Sequence, residues 1–134
     1  MTSLETINLS SCGSISGTIP TGIANMSELR SFEISANMGI FGLLPSEFGF
    51  CTSLRTLDVS HTNLEGLFPH EVGMLPNLRF IYIQGTLLTG DLDSSLCTSQ
   101  LTSNIRAAES NCLHGGFNCS CCTACCDSTG SNCI

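Results

Sequence analysis

The chain has 134 residues with four arginines, no lysine and eleven acids, giving a net charge of −7. A surplus of that sign excludes nucleic acid and anionic lipid as partners, since both require a basic footprint. No apolar run approaches the roughly 18 residues of a membrane span, and ten cysteines in so short a chain indicate an oxidising compartment, hence a secreted or cell-surface protein.

Met1 is followed within three residues by core-forming sequence, so a signal peptide is expected to be absent or already removed. The chain reads as the C-terminal part of a longer secreted protein or as a mature fragment. From Leu4 the sequence LETINLSSCGSISGTIP recurs as LRSFEISANMGIFGLLP from Leu29, LRTLDVSHTNLEGLFP from Leu54 and LRFIYIQGTLLTGDL from Leu78. The lead leucines lie 25, 25 and 24 residues apart. That period is the signature of stacked coils with one short strand each, and predicts a single solenoid without a central globular core. A fifth, degenerate unit is expected from Thr102, with Ile105 and Ala107 at its second and third core positions. The division predicted is 1–101 for four repeats and 102–134 for a degenerate repeat and a cysteine-rich cap.

Faces follow from alternation along a strand. Leu54, Leu57 and Val59 point inward, and Arg55, Thr56 and Asp58 outward. The next interior site holds Cys12, Asn37, Thr62 and Thr86, each able to hydrogen-bond buried backbone where the chain leaves the strand. Further on, Gly17, Gly42, Gly66 and Gly90 permit tight turns. Ile19-Pro20, Leu44-Pro45 and Phe68-Pro69 each pair a buried apolar residue with a proline that fixes the short helical turn following it. Ile23, Phe48, Val72 and Leu96 should pack beneath those turns.

The pattern x-L-x-G-x-I-P-x-x-I/L-G, carried through the proline by three of the four units, resembles the plant-type subfamily of leucine-rich repeats over roughly residues 4–97. That subfamily occurs in receptor-like kinases, receptor-like proteins and polygalacturonase inhibitors. The resemblance implies an α/β solenoid, a right-handed superhelix with short parallel strands on its concave face, used for extracellular recognition. The fourth unit departs from it with Leu92-Asp93 where the proline should be, and the first two carry one extra residue before Ile15 and Ile40.

Seven cysteines crowd the tail, and two uses compete for them. They could ligate a soft metal as thiolates or form a disulfide cap over the last coil. The cap is the expectation, with no metal and no cofactor, because a solenoid must cover its apolar end. With Cys12 and Cys51 taken as free, it comprises Cys97, Cys112, Cys119, Cys121, Cys122, Cys125, Cys126 and Cys133, whose connectivity the sequence leaves open. The CSCCTACC segment also resembles the C-terminal module of secreted leucine-rich-repeat proteins of diatoms and related microalgae. Three N-x-S sequons occur; Asn25 and Asn118 are candidate glycosylation sites, and Asn8 is disfavoured because it falls inside the first strand.

Stacking aligns Arg30, Arg55 and Arg79 in one outward column, Asn8, Glu33, Asp58, Tyr82 and Arg106 in a second, and Ser10, Ser35, Ser60 and Gln84 in a third. Rungs are about 4.8 Å apart. One reading of these columns is solubility alone, the arginines pairing with Glu33 and Asp58. The other is a polar groove for a protein, peptide or acidic glycan, built from Arg30, Glu33, Arg55, Asp58, Ser60, Arg79 and Arg106, with Phe80 and Tyr82 as aromatic anchors. A structural or assembly role, stacking through the first coil on a partner chain or on upstream repeats, is the alternative. Catalysis is not expected: Asp58, Ser60 and His61 are neighbours along one strand, which cannot bring them into a relay.

Overall fold

The computed structural model describes residues 3–97, 107–110 and 117–125. In each repeat the lead leucine and the apolar residues three and five places after it frame a three-residue strand: β1 (Thr6–Asn8), β2 (Ser31–Glu33), β4 (Thr56–Asp58) and β6 (Phe80–Tyr82). With β8 (Ala107–Ser110) and β10 (Ala124–Cys125) they make a six-stranded parallel sheet in the order β1-β2-β4-β6-β8-β10. The middle residue of β2, β4 and β6 is buried between two half-buried neighbours, as alternation requires.

A second sheet, which the repeat pattern does not announce, runs along another side of the coils. It contains β3 (Asn37–Leu43), β5 (Thr62–Leu67), β7 (Leu87–Asp91) and β9 (Phe117–Asn118), in the order β3-β5-β7-β9 and parallel throughout. The third side is made of short helical turns: 3-10 turns at Thr21–Asn25 and Ser46–Phe50, then α1 (His70–Gly73) and α2 (Leu92–Ser95). Leu29, Leu54, Leu57, Leu64, Leu78, Ile81, Leu88 and Leu96 fill the space between the three sides, with Ile23, Phe48 and Val72 under the helical turns. Phe32 and Phe48 meet edge to face, ring centres 5.0 Å apart, in a geometry aromatic pairs favour.

Where the chain leaves the first sheet, Ser11, Ala36, His61 and Gly85 all take positive φ, from 53° to 66°. The next buried polar residue then supports that bend. Asn37 Nδ2 donates to the carbonyls of Leu9, Ile34 and Ser35 at 2.8, 2.8 and 3.2 Å, and the Thr62 and Thr86 hydroxyls donate to Val59 and Ile83, each at 2.7 Å. Cys12, expected at the same interior site, is instead exposed with a free thiol. A thiol is a weak donor and cannot replace these contacts, and no described coil precedes it. Pro20, Pro45 and Pro69 stand just ahead of their helical turns, in extended conformation, as N-caps. In the fourth unit Asp91 takes over, its carboxylate accepting from Asp93 N at 3.0 Å, a capping bond that proline cannot make.

The fifth unit falls in a different register from the one predicted. Strand β8 pairs Ile81 with Ala108 and Tyr82 with Glu109, so Ala108 takes the second core position and Ala107 lies opposite Phe80. With no lead leucine to anchor it, the spacing of Ile105 and Ala107 mimicked a core pair three residues too early. Beyond it, the Cys97–Cys121 disulfide joins the end of the fourth coil to the segment after β9, and Cys119–Cys122 closes a tight loop within that segment. Cys112, Cys126 and Cys133 lie outside the described residues, and Cys125 is described in backbone alone.

Candidate functional site

Parallel pairing places Thr6, Ser31, Thr56 and Phe80 in one row across the larger sheet and Asn8, Glu33, Asp58 and Tyr82 in another. Just before them, the N–H groups of Arg30, Arg55 and Arg79 donate to the carbonyls of Glu5, Arg30 and Arg55 at 2.7, 2.8 and 2.8 Å, fixing these four residues as a column one rung apart. The side chains of Glu5, Arg30, Arg55 and Arg79 are all exposed. Glu5 heads the basic column, a position found by reading the repeat alignment one coil further back.

The expected pairing of the arginines with Glu33 and Asp58 does not occur. Glu33 accepts from Asn8 Nδ2 at 2.8 Å and from the Ser31 hydroxyl at 2.6 Å, and Asp58 accepts from the Ser60 hydroxyl at 2.6 Å and its N–H at 3.0 Å. Short polar neighbours within hydrogen-bond reach satisfy these carboxylates without ordering a long arginine side chain. Arg30 turns to Glu5, 3.3 Å away, in the one ion pair among the described residues. Arg55 and Arg79 therefore have no carboxylate partner there. Half-buried Phe80 and Tyr82 follow Arg79 on the last of these rungs.

Ser60 contributes less than its column suggested, being buried with its hydroxyl directed at Asp58. Arg106 lies outside the described residues; by backbone register the partner of Tyr82 on the next rung is Glu109. Ser60 does not donate to His61, whose backbone occupies the φ 53° bend, so Asp58, Ser60 and His61 form no relay. Asn25 is exposed on the helical side, Asn8 donates to Glu33, and Asn118 belongs to β9.

The second notable surface is the open side of the first coil. There β1 pairs with β2 alone among the described residues, leaving its other edge free. Beside that edge lies an open apolar cleft of about 400 Å³ lined by Ile7, Leu9, Ile15, Ile23, Met26 and, from the second coil, Phe32. Leu4 and Leu9 are 45% and 41% exposed, whereas the equivalent Leu29, Ile34, Leu54 and Val59 are buried.

Comparison with known proteins finds a leucine rich repeat family profile matching residues 27–88 and a second leucine rich repeat profile matching residues 3–26. Receptor-like protein 6 of Arabidopsis thaliana is 41% identical over 78 residues, 58% of this chain; the chain spans 8% of that protein's length. Among solved structures, the plant peptide hormone receptor RGFR1 in complex with RGF2 superposes with a TM-score of 0.72 and 29% identity, covering 80% of this chain and 16% of that one. The LRR ectodomain of the receptor kinase SOBIR1 from Arabidopsis thaliana shares the fold with a TM-score of 0.71 and 24% identity, covering 84% of this chain and 57% of that one. No helix among the described residues is long and apolar enough to cross a membrane.

Proposed function

Because the chain belongs to the leucine-rich-repeat family, we propose that it is a non-catalytic extracellular recognition module that takes an acidic stretch of protein or peptide across the outer face of its larger sheet. The observation that carries this reading is the column of Arg55 and Arg79. Two guanidiniums on adjacent rungs lack carboxylate partners among the described residues, while Glu33 and Asp58 are already satisfied by shorter donors. A free guanidinium offers a planar fork of donors suited to a carboxylate. Phe80 and Tyr82 add the rigid aromatic area on which interfaces concentrate their energy. Fold alone would not fix this use; the two guanidiniums without a carboxylate partner among the described residues supply the chemistry.

The test is a selection of displayed peptides against the chain, followed by affinity measurement for the enriched sequences. Peptides rich in Asp and Glu should emerge, and Arg55→Glu should weaken them by tenfold or more while leaving the melting temperature nearly unchanged, because an exposed charge contributes only about 0–1 kcal/mol to stability. Enrichment without acidic residues, or affinity indifferent to Arg55→Glu, would place recognition elsewhere.

The apolar cleft beside β1 supports a second reading, in which the first coil is an assembly surface covered by a further coil of the same repeat.

A further inference from the structure

The cap gathers its sulfurs more closely than two crosslinks require. Pairing of β9 with β7, Phe117 against Gly90 and Asn118 against Asp91, returns the chain over the end of the fourth coil. Ser120 N donates to Asp93 Oδ1, and Cys121 N donates to Cys97 Sγ at 3.3 Å. As a result Cys97 Sγ lies 3.9 Å from Cys119 Sγ, although the two belong to different disulfides. The sulfurs of Cys97, Cys119 and Cys121 all fall within 4.8 Å of one another, and Cys122 is bonded to Cys119.

A zinc ion bound by four thiolates at about 2.3 Å requires its sulfurs to stand about 3.8 Å apart at the corners of a tetrahedron. The Cys97 to Cys119 contact already has that separation. Cys119 and Cys122 have the C-x-x-C spacing of a zinc-binding turn, and a backbone N–H directed at Cys97 Sγ is the kind of donor that stabilises a thiolate. We propose that, once a dithiol reductant has opened both disulfides, Cys97, Cys119, Cys121 and Cys122 hold one Zn²⁺ as a tetrathiolate site. Each disulfide takes up two electrons and two protons from one dithiol, which leaves as its own disulfide. Zinc then displaces the four thiol protons to solvent and forms four Zn–S bonds. The same four residues thus fasten the cap to the fourth coil in either redox state, by covalent bonds or by a metal. This inference is independent of the recognition surface on the larger sheet.

The experiment uses the full chain carrying Cys12→Ser and Cys51→Ser, reduced with a phosphine and titrated with Co²⁺ as a spectroscopic probe. One cobalt per chain should bind, with sulfur-to-metal charge-transfer absorption and the intense visible bands of tetrahedral cobalt thiolate, and an equivalent of Zn²⁺ should bleach both. Cys97→Ser and Cys119→Ser should each weaken binding by about 100-fold or more, at least the loss typical of a supporting residue in a metal site. Cys97→His, which exchanges one thiolate for an imidazole, should keep the stoichiometry and shift the visible bands to shorter wavelength. Absence of the charge-transfer band, binding that survives Cys97→Ser combined with Cys119→Ser, or unshifted bands in Cys97→His would each overturn the proposal.

Discussion

Cys51 shows how one buried atom can tie two coils together. Its side chain is fully buried, and its thiol donates to the Ile23 carbonyl of the preceding coil at 3.3 Å. Burial pushes the thiol up from its ordinary value of 9.0, because the thiolate would lose its hydration. The sign of the pH dependence follows. Below pH 9 the thiol is protonated folded and unfolded, and its contribution to stability is complete. Above it the unfolded chain releases the proton while the folded chain retains it, so stability falls with rising pH until the folded value is passed. Denaturant titrations at pH 8 and pH 10 should show a loss of stability in the native chain that is smaller in Cys51→Ala. An equal loss in both would remove Cys51 as the cause. In the native state a maleimide should label exposed Cys12 quickly and Cys51 only on unfolding.

Between elements, small residues set how closely coils approach. On the helical side a Cβ added to Gly73 would run into the Ser95 carbonyl of the next coil, and one added to Gly49 would come within 2.7 Å of Glu71 Cβ. Gly22, in the equivalent turn of the first coil, has no atom within 4 Å of such a Cβ and no positive φ. Gly73→Ala should therefore cost about 1–3 kcal/mol, the usual penalty of overpacking. Gly22→Ala should be neutral or stabilise by up to about 1 kcal/mol, through the lower entropy of the unfolded chain. Urea unfolding of the two variants compares them directly, and equal effects would show that coil contact does not decide the outcome. Much of this level was legible in the sequence. Leu54, Leu57 and Val59 announce their strand because burial on one side only is an alternating pattern. The second sheet was not legible, because Phe41, Leu43, Leu67 and Leu87 are apolar and exposed, so inner and outer residues of β3, β5 and β7 look alike. Leu43 also lies over Gly66 of the next coil, which makes an outward leucine resemble a core one. On the outer face of the larger sheet, the repeat alignment reveals the arginine column, but the partners of Glu33 and Asp58 depend on side-chain reach, which spacing does not encode.

For the molecule as a whole, stability is a sum over coils and the interfaces between them. Coils two to four have neighbours on both sides, whereas the first has a described neighbour on one side only. Each large aliphatic side chain left in water forgoes roughly 1.5–3 kcal/mol of burial. Hydrogen exchange on the 134-residue chain should then find the Ile7 and Leu9 amides much less protected than those of Leu57 and Val59, or find a concentration-dependent oligomer that protects them. A monodisperse monomer with equal protection at both places would defeat the assembly reading of the cleft beside β1.

The two parallel ladders have a mechanical consequence. The hydrogen bonds of both sheets run from coil to coil, along the stacking direction, so tension between the first coil and the cap pulls on them lengthwise, one interface after another. Held by a handle on the exposed Cys12 thiol and another at the C-terminus, the chain should lengthen in successive low-force steps. Each step should release one coil of 24 or 25 residues, a contour of about 85 Å at roughly 3.5 Å per residue, until the disulfide linking Cys97 to Cys121 stops further extension of the segment it encloses. A single abrupt rupture of all the coils would mean that they break as one body, and that the ladders do not yield rung by rung.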